Sequence, residues 1–401
     1  MDKRTIEVKK ELYVQLVKKA AEKYENIVIY GAGRKGIGIF DLLTNAGIII
    51  NAFVVTNKKE NKEFECGIPV YGIDDNVFDP SNTLVVIGVR KRWNDVVVAE
   101  IMKNNFLNII KAPEGIEYFT EKDLDRSQQS VIQITAQVGC KIDCKYCPQN
   151  TFVRQYVERG TNVEKSMSFK RFQEYLEKID SSVILEFAGF SEPFFNPDCT
   201  DMLVYANKKG HPLELFTTLE GMTKKDFDRI KNIPFREVVI HIPDKENNSN
   251  ITITEEYLEV LEMMLDAKKQ DGSDFVNWAS CHGEPADMVE EMIGNRIRIL
   301  SQLHDRAGNV DGEDIEKLRD IKGSIRCSGT PNFDHNVLLP DGTILLCDSD
   351  WGMKHVLGNL KKQTYQEVLE SETVKEIKKK MELQDSDLIC RNCCYVVKTS
   401  I

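Results

Sequence analysis

Two hydrophobic rhythms alternate along the chain. Short, almost unbroken apolar runs rich in Val, Ile and Leu recur at residues 26–30, 48–55, 83–89 and 108–111, and again at 130–138, 182–188, 213–218, 236–242, 274–279 and 296–301. Between them, apolar residues return every three or four positions among charges, at 5–24, 34–45, 93–105, 168–179, 254–269 and from 223 onward. The first pattern reads as strands buried on both faces and the second as amphipathic helices. The series is interrupted at 112–129, which is polar and punctuated by Pro and Gly and reads as a linker. Near the end, residues 337–346 read as a hairpin turning at Pro340-Asp341-Gly342, followed by a helix at 364–380.

Strands that alternate with helices build parallel sheets. The pattern therefore predicts an α/β protein: a Rossmann-like domain over 1–115, a linker over 116–129, a partial (β/α)6 barrel over 130–320, and a small Cys-rich α+β domain over 321–401. In the first domain, the strand at 26–30 runs into Gly31-Ala32-Gly33-Arg34-Lys35-Gly36 and then a helix. Gly31 suits a tight turn, Gly33 close approach of a ligand, and Gly36 close packing of helix on strand; the helix N-terminus offers N–H groups to a phosphate. The second strand ends Val54-Val55-Thr56-Asn57, without the acid that holds the ribose of NAD. The stretch Gly67-Ile68-Pro69-Val70-Tyr71-Gly72 resembles the N-terminal domain of bacterial sugar O-acyltransferases. That resemblance implies a nucleotide or nucleotide sugar as ligand of this domain.

Composition narrows the function classes. The 401 residues carry a net charge of −11, which disfavours nucleic acid as a partner. No apolar run is long enough to span a membrane, and no signal peptide is read at the N-terminus, so a cytoplasmic location is expected. Eleven cysteines in such a chain point to metal rather than disulfides.

Three of them form Cys140-Lys141-Ile142-Asp143-Cys144-Lys145-Tyr146-Cys147, directly after a predicted strand. Three thiolates at this spacing suit three corners of an iron–sulfur cube and leave one iron open. The loop, with Tyr146 before its third cysteine, resembles the signature of the radical S-adenosylmethionine (SAM) enzymes. The resemblance implies a [4Fe–4S] cluster on Cys140, Cys144 and Cys147 that binds SAM at the open iron and cleaves it reductively. One β-α unit later, Gly189-Phe190-Ser191-Glu192-Pro193 resembles that family's Gly-Gly-Glu-Pro stretch, with its second glycine replaced. There Gly189, Glu192 and Pro193 are implied to receive the SAM amino group. A second Gly-Glu-Pro, in Cys281-His282-Gly283-Glu284-Pro285, comes too late in the chain for that role.

Cys327, Cys347, Cys390 and Cys393 suit a second, fully ligated metal site. Cys394 is the alternative to Cys393. The spacing from Cys327 through Gly342 to Cys347 resembles the opening of SPASM and Twitch domains, which implies an auxiliary [4Fe–4S] cluster that handles electrons. By the same resemblance Asp348 is a proton acceptor, hence a candidate catalytic residue. The reading is a radical SAM enzyme that oxidises or modifies a small molecule such as a sugar, with flavodoxin or ferredoxin as electron donor. The alternatives are a peptide maturase and a non-catalytic protein in which both cysteine sets hold zinc.

Overall fold

The computed structural model describes residues 3–61, 63–89, 94–112, 129–160, 164–299, 306–310, 321–327, 330, 332–393 and 395–398. Of the expected linker segment, all but Ala112 and Gln129 lies outside the described residues, as does Cys394. The chain divides into two compact units, Met1–Gln128 and Gln129–Ile401.

In the first unit, α1 (Lys3–Ala21) precedes β1 (Asn26–Tyr30), α2 (Arg34–Asn45), β2 (Ala52–Val55), β3 (Phe64–Glu65), β4 (Ile68–Gly72), β5 (Thr83–Ile87), α3 (Asn94–Lys103) and β6 (Ile109–Lys111). The sheet order is β3-β4-β2-β1-β5-β6, parallel except for the β3–β4 pair. Unbroken apolar strands are explained by helices on both faces. Ile27 and Ile29 pack with Tyr13 and Val17 of α1 and Ile39 and Leu43 of α2, whereas Val28 and Tyr30 pack with Ile101 of α3. The stretch Gly67–Gly72 contains strand β4 (Ile68–Gly72), which Pro69 and the flanking glycines conceal.

The glycines after β1 do different work. A Cβ on Gly36 would lie 1.8 Å from the carbonyl oxygen of Gly31, so the helix can sit on the turn only with a hydrogen there. A Cβ on Gly33, the N-cap of α2, would meet nothing within 4 Å.

The second unit contains a sheet in the order β12-β11-β10-β9-β8-β7-β14-β15-β16. Strands β7 (Val131–Ile134), β8 (Ile184–Phe187), β9 (Leu213–Thr217), β10 (Glu237–His241), β11 (Trp278–Cys281) and β12 (Ile297–Ile299) are parallel neighbours. On the other side of β7, β14 (His335–Leu338) is also parallel, and it continues antiparallel into β15 (Thr343–Leu345) and β16 (Val356–Asn359). One face of the sheet packs its Ile, Leu and Val against helical residues such as Phe172, Leu203, Phe227 and Leu261. The opposite face carries polar residues in register: Gln133 beside Glu186, Glu186 beside Glu214, Glu214 beside Glu237. Outside this sheet, β13 (Ile325–Cys327) pairs antiparallel with β17 (Val396–Lys398).

Two expectations shift. The strand expected at 274–279 is found at Trp278–Cys281, because the chain doubles back through Lys269 N–H to Ser273 O and Phe275 N–H to Ala267 O. Phe275 and Val276 are therefore core residues without being ladder residues. The helix expected at 364–380 is two helices, Tyr365–Leu369 and Glu372–Glu382, because the Ser371 hydroxyl caps the second by accepting from Val374 N–H.

The glycine geometry yields a paired test. Gly36→Ala should lower the stability of the first unit by ~2 kcal/mol or more, through overpacking, while Gly33→Ala stays within ~0.5 kcal/mol. Denaturant melts of the two variants check it.

Candidate metal centres

The loop that leaves β7 carries the first cysteine group. It is held from several sides by the loop that follows β10. Lys145 N–H donates to Asn248 O at 2.9 Å, Lys145 Nζ to Glu246 O at 2.8 Å, and the Cys144 thiol to Ser249 O at 3.0 Å. The Asn250 side chain donates to Ile142 O. The bracing loop is itself shaped by Asp244, which accepts from Asn248 N–H at 2.7 Å, Ser249 N–H at 2.8 Å and Ser249 Oγ at 2.7 Å. On the third side the Tyr146 ring lies against His282, with centroids 3.9 Å apart. The Gly-Glu-Pro stretch set aside in the sequence thus borders the first cysteine loop, and Asn248 fastens it by donating to His282 O at 2.8 Å.

Cys140, Cys144 and Cys147 are half-buried free thiols, close enough to feel one another's charge. Burial pushes Cys144 and Cys147 up to about 12 and raises Cys140. Opposing that, the amides of Glu192, Ile142 and Asp143 favour the Cys140 thiolate, and the Arg306 charge and the Gln149 amide favour that of Cys147. The thiols are therefore protonated without metal, and a metal must displace the protons.

The segment after β8 approaches the same loop. Gly189 has φ +65°, and a Cβ there would lie 2.3 Å from Thr135 Oγ1, so the chain crosses the end of β7 at contact distance. Phe190 N–H donates to that hydroxyl at 3.0 Å. Glu192 is buried, and four donors saturate its carboxylate. Oε1 accepts from Thr217 Oγ1 at 2.7 Å and Phe194 N–H at 3.3 Å; Oε2 accepts from Thr218 N–H and Thr218 Oγ1, both at 2.7 Å. Burial raises this carboxyl above its ordinary value despite the donors. Glu192 thus ties the Gly189–Pro193 segment to the end of β9, and Pro193 opens the short turn it caps.

Two further polar groups stand at neighbouring strand ends. His241 of β10 and Ser280 of β11 are register partners, and Ser280 Oγ is hydrogen-bonded to His241 Nδ1. Burial first, and then the Arg306 charge, lower the imidazole to about 4. Arg306 therefore lies where it influences both His241 and Cys147. Its turn is fastened by Asn309, whose Nδ2 donates to Arg306 O at 2.7 Å and to Ser349 O at 3.1 Å, next to the second cysteine group. A second link is the Phe190–Trp351 stack, with centroids 4.1 Å apart.

In the second group, the β13–β17 ladder sets Cys327 opposite Val396, whose N–H donates to Cys393 O at 3.1 Å. Cys393 N–H in turn donates to Cys390 O at 3.1 Å. The thiols of Cys327 and Cys390, and of Cys390 and Cys347, are within electrostatic reach. Thr330 N–H donates to Cys327 Sγ at 3.2 Å and Tyr395 N–H to Cys393 Sγ at 3.4 Å. Burial pushes Cys390 up to about 12 and raises Cys347 well above its ordinary value. Asp348 accepts from Ser349 Oγ at 3.3 Å, and among the described residues no hydrogen bond or ion pair joins it to the first loop. Among the described residues no three His, Cys, Asp or Glu side chains converge as ligands of one metal ion. Thiols spaced to interact, with amides directed at the sulfurs, suit the larger iron–sulfur cluster in both groups.

Residues 327–394 match the SPASM family, an iron–sulfur cluster-binding domain. No curated protein matches the chain. Among solved structures the chain is similar to BtrN in complex with AdoMet and 2-DOIA (16% identity, 66% of this chain and 93% of that one, TM-score 0.43). It is also similar to anSMEcpe with bound AdoMet (14%, 67% and 84%, TM-score 0.38). A third is Streptococcus suis SuiB bound to the precursor peptide SuiA (12%, 75% and 82%, TM-score 0.40). No helix among the described residues is long and apolar enough to cross a membrane.

The depressed His241 has a signed consequence. The unfolded imidazole takes up a proton below its ordinary value of 6.5 while the folded one resists until about 4, so stability present at pH 7 is lost as pH falls through that window. Between pH 7 and pH 5, His241→Gln should lose ~1–2 kcal/mol less unfolding free energy than the unmodified chain, as read by urea titration.

Proposed function

We propose that this chain is a radical SAM enzyme with two [4Fe–4S] clusters, one on Cys140, Cys144 and Cys147 and one on Cys327, Cys347, Cys390 and Cys393. The observation that carries the reading is the C-x3-C-x2-C loop at the C-terminal end of a parallel strand, braced on three sides; the SPASM match over 327–394 supports the second cluster. When bound, cluster and SAM together supply a 5′-deoxyadenosyl radical that takes a hydrogen atom from the substrate.

The protein's own residues do the positioning. Asp244, Asn248 and Asn250 hold the first thiol loop in one shape, and Tyr146 is fixed by His282. Glu192 holds the Gly189–Pro193 segment, where the SAM amino group is proposed to bind. With four donors on its carboxylate, Glu192 acts by shaping that segment more than by meeting the ammonium itself. Asp348 is the proposed acceptor of a substrate proton. The strands β7–β12 act as a partial barrel whose chemistry lies at their C-terminal ends. Residues 1–115 act as a Rossmann-like domain for a nucleotide sugar or another phosphorylated ligand. Support for this is the α2 N-terminus at Gly33, which carries no side-chain cap and has open space beside its Cα. The substrate class is a small molecule such as a sugar, oxidised or otherwise modified.

The test is anaerobic reconstitution. The chain should bind roughly 8 irons and form 5′-deoxyadenosine from SAM under dithionite. Replacing Cys140, Cys144 and Cys147 by Ala should abolish 5′-deoxyadenosine and leave roughly 4 irons. A colourless, zinc-loaded chain, or product formation that survives the triple replacement, would overturn the reading. Thermal-shift assays of the full chain with nucleotide sugars and with NAD address the first unit: stabilisation by the sugars and none by NAD is expected.

A further inference from the structure

Arg391 lies between Cys390 and Cys393, and it is 1% exposed. All five N–H groups of its guanidinium are taken by oxygens. Nε donates to Ser386 Oγ at 2.9 Å, Nη1 to Ile321 O at 2.7 Å and Gly323 O at 3.0 Å, and Nη2 to Leu383 O at 2.8 Å and Lys380 O at 3.4 Å. Among the described residues the carboxylate paired with it is Asp385, 3.9 Å away and more than half exposed, where water and Lys322 at 2.7 Å share its charge. A guanidinium cannot shed its proton, so this is a permanent positive charge, solvated by neutral oxygens and, among the described residues, without a buried carboxylate partner. Hydrogen bonds of this kind would hold a loop equally well around a neutral donor. A full charge is costly to bury and needs something negative nearby. The thiols of the second group supply that need once metal converts them to thiolates.

We infer that Arg391 is the built-in counter-charge of the second cluster and sets its reduction potential. Four thiolates on a [4Fe–4S] core carry net charge −2 when oxidised and −3 when reduced. A fixed cation beside it favours the reduced form and raises the potential, and low dielectric keeps that effect from being screened. Arg391 is thus a positioning residue for electrons: it would let the second cluster accept an electron that an unassisted cluster in the same pocket would hold less firmly. The inference rests on the two-cluster reading above.

The experiment uses the full-length chain with Cys140, Cys144 and Cys147 replaced by Ser, so that only the second cluster contributes. Iron content and an EPR-monitored redox titration are compared for Arg391 intact, Arg391→Gln and Arg391→Lys. The expected result is unchanged iron, with the equilibrium for reduction at least tenfold weaker in the Gln variant, a shift of ~59 mV to more negative potential for one electron. The Lys variant, which keeps the charge, should stay near the parent. Loss of iron in the Gln variant alone would also support the inference, because Lys, which likewise cannot supply all five donors, keeps the charge and keeps the iron. An unchanged potential in the Gln variant, an equal shift in both variants, or loss of iron in both would overturn it. If the parent itself binds no cluster, the two-cluster reading fails instead.

Discussion

Desolvation of sulfur is the constraint on which both cysteine groups depend. A thiol taken out of water keeps its proton, and a thiolate in the same place needs donors or a cation. Each group meets this with what its own loop can reach. The first uses backbone amides at Cys140 and the Arg306 charge near Cys147. The second uses amides at Cys327 and Cys393 and a buried guanidinium within its Cys-x2-Cys turn. Protonated and neutral, the sulfurs are tolerated by the apolar cores around them; deprotonated, they are held by the polar groups. In the proposed cluster sites metal takes the place of the protons, and these polar groups receive the charge.

That logic explains how much was legible in the sequence. That the thiols of each cysteine group approach one another was legible from the short spacings Cys140–Cys147 and Cys390–Cys393 and from the few other uses of cysteine in such a chain. The parallel strands showed themselves because helices cover them, which makes their apolar runs continuous. What stayed hidden was whatever depends on a partner far along the chain. Asp244 and Asn248 read as loop residues, and only the folded chain reveals that they shape the brace of Cys144. His241 ends an ordinary apolar run, and its pairing with Ser280 follows from strand register rather than from local pattern. Arg391 reads as one more surface cation until five oxygens are found around it. The motif at Cys281–Pro285 was set aside for the role of its look-alike, and its closeness to Tyr146 was not visible, because two residues that meet in space are 136 residues apart.

The two groups are also tied to each other. Asn309 holds the turn of Arg306, which acts on Cys147, to the carbonyl of Ser349, two residues past Cys347. Phe190, one residue past Gly189, stacks on Trp351. An aromatic stack thus couples the segment proposed to hold SAM to the loop of the second cysteine group, and a hydrogen bond couples the Arg306 turn to it. A shift in either loop must be felt by the other, since packed aromatic rings move together or lose their contact.

The parallel pairing of β7 with β14 carries a consequence for the life of the chain before it is a protein. β7 is made early, and its neighbour on one side, β8, follows within about 50 residues; its neighbour on the other side is His335–Leu338, some 200 residues later. Until that stretch is translated, the strand that launches the first cysteine loop has a bare edge, and the ladder that closes the second group waits for Val396–Lys398. Neither thiol group is complete on a partly made chain. During synthesis these cysteines are solvated, whereas in the finished chain they are half-buried or buried. The order of the strands thus sets when each cysteine group acquires its surroundings.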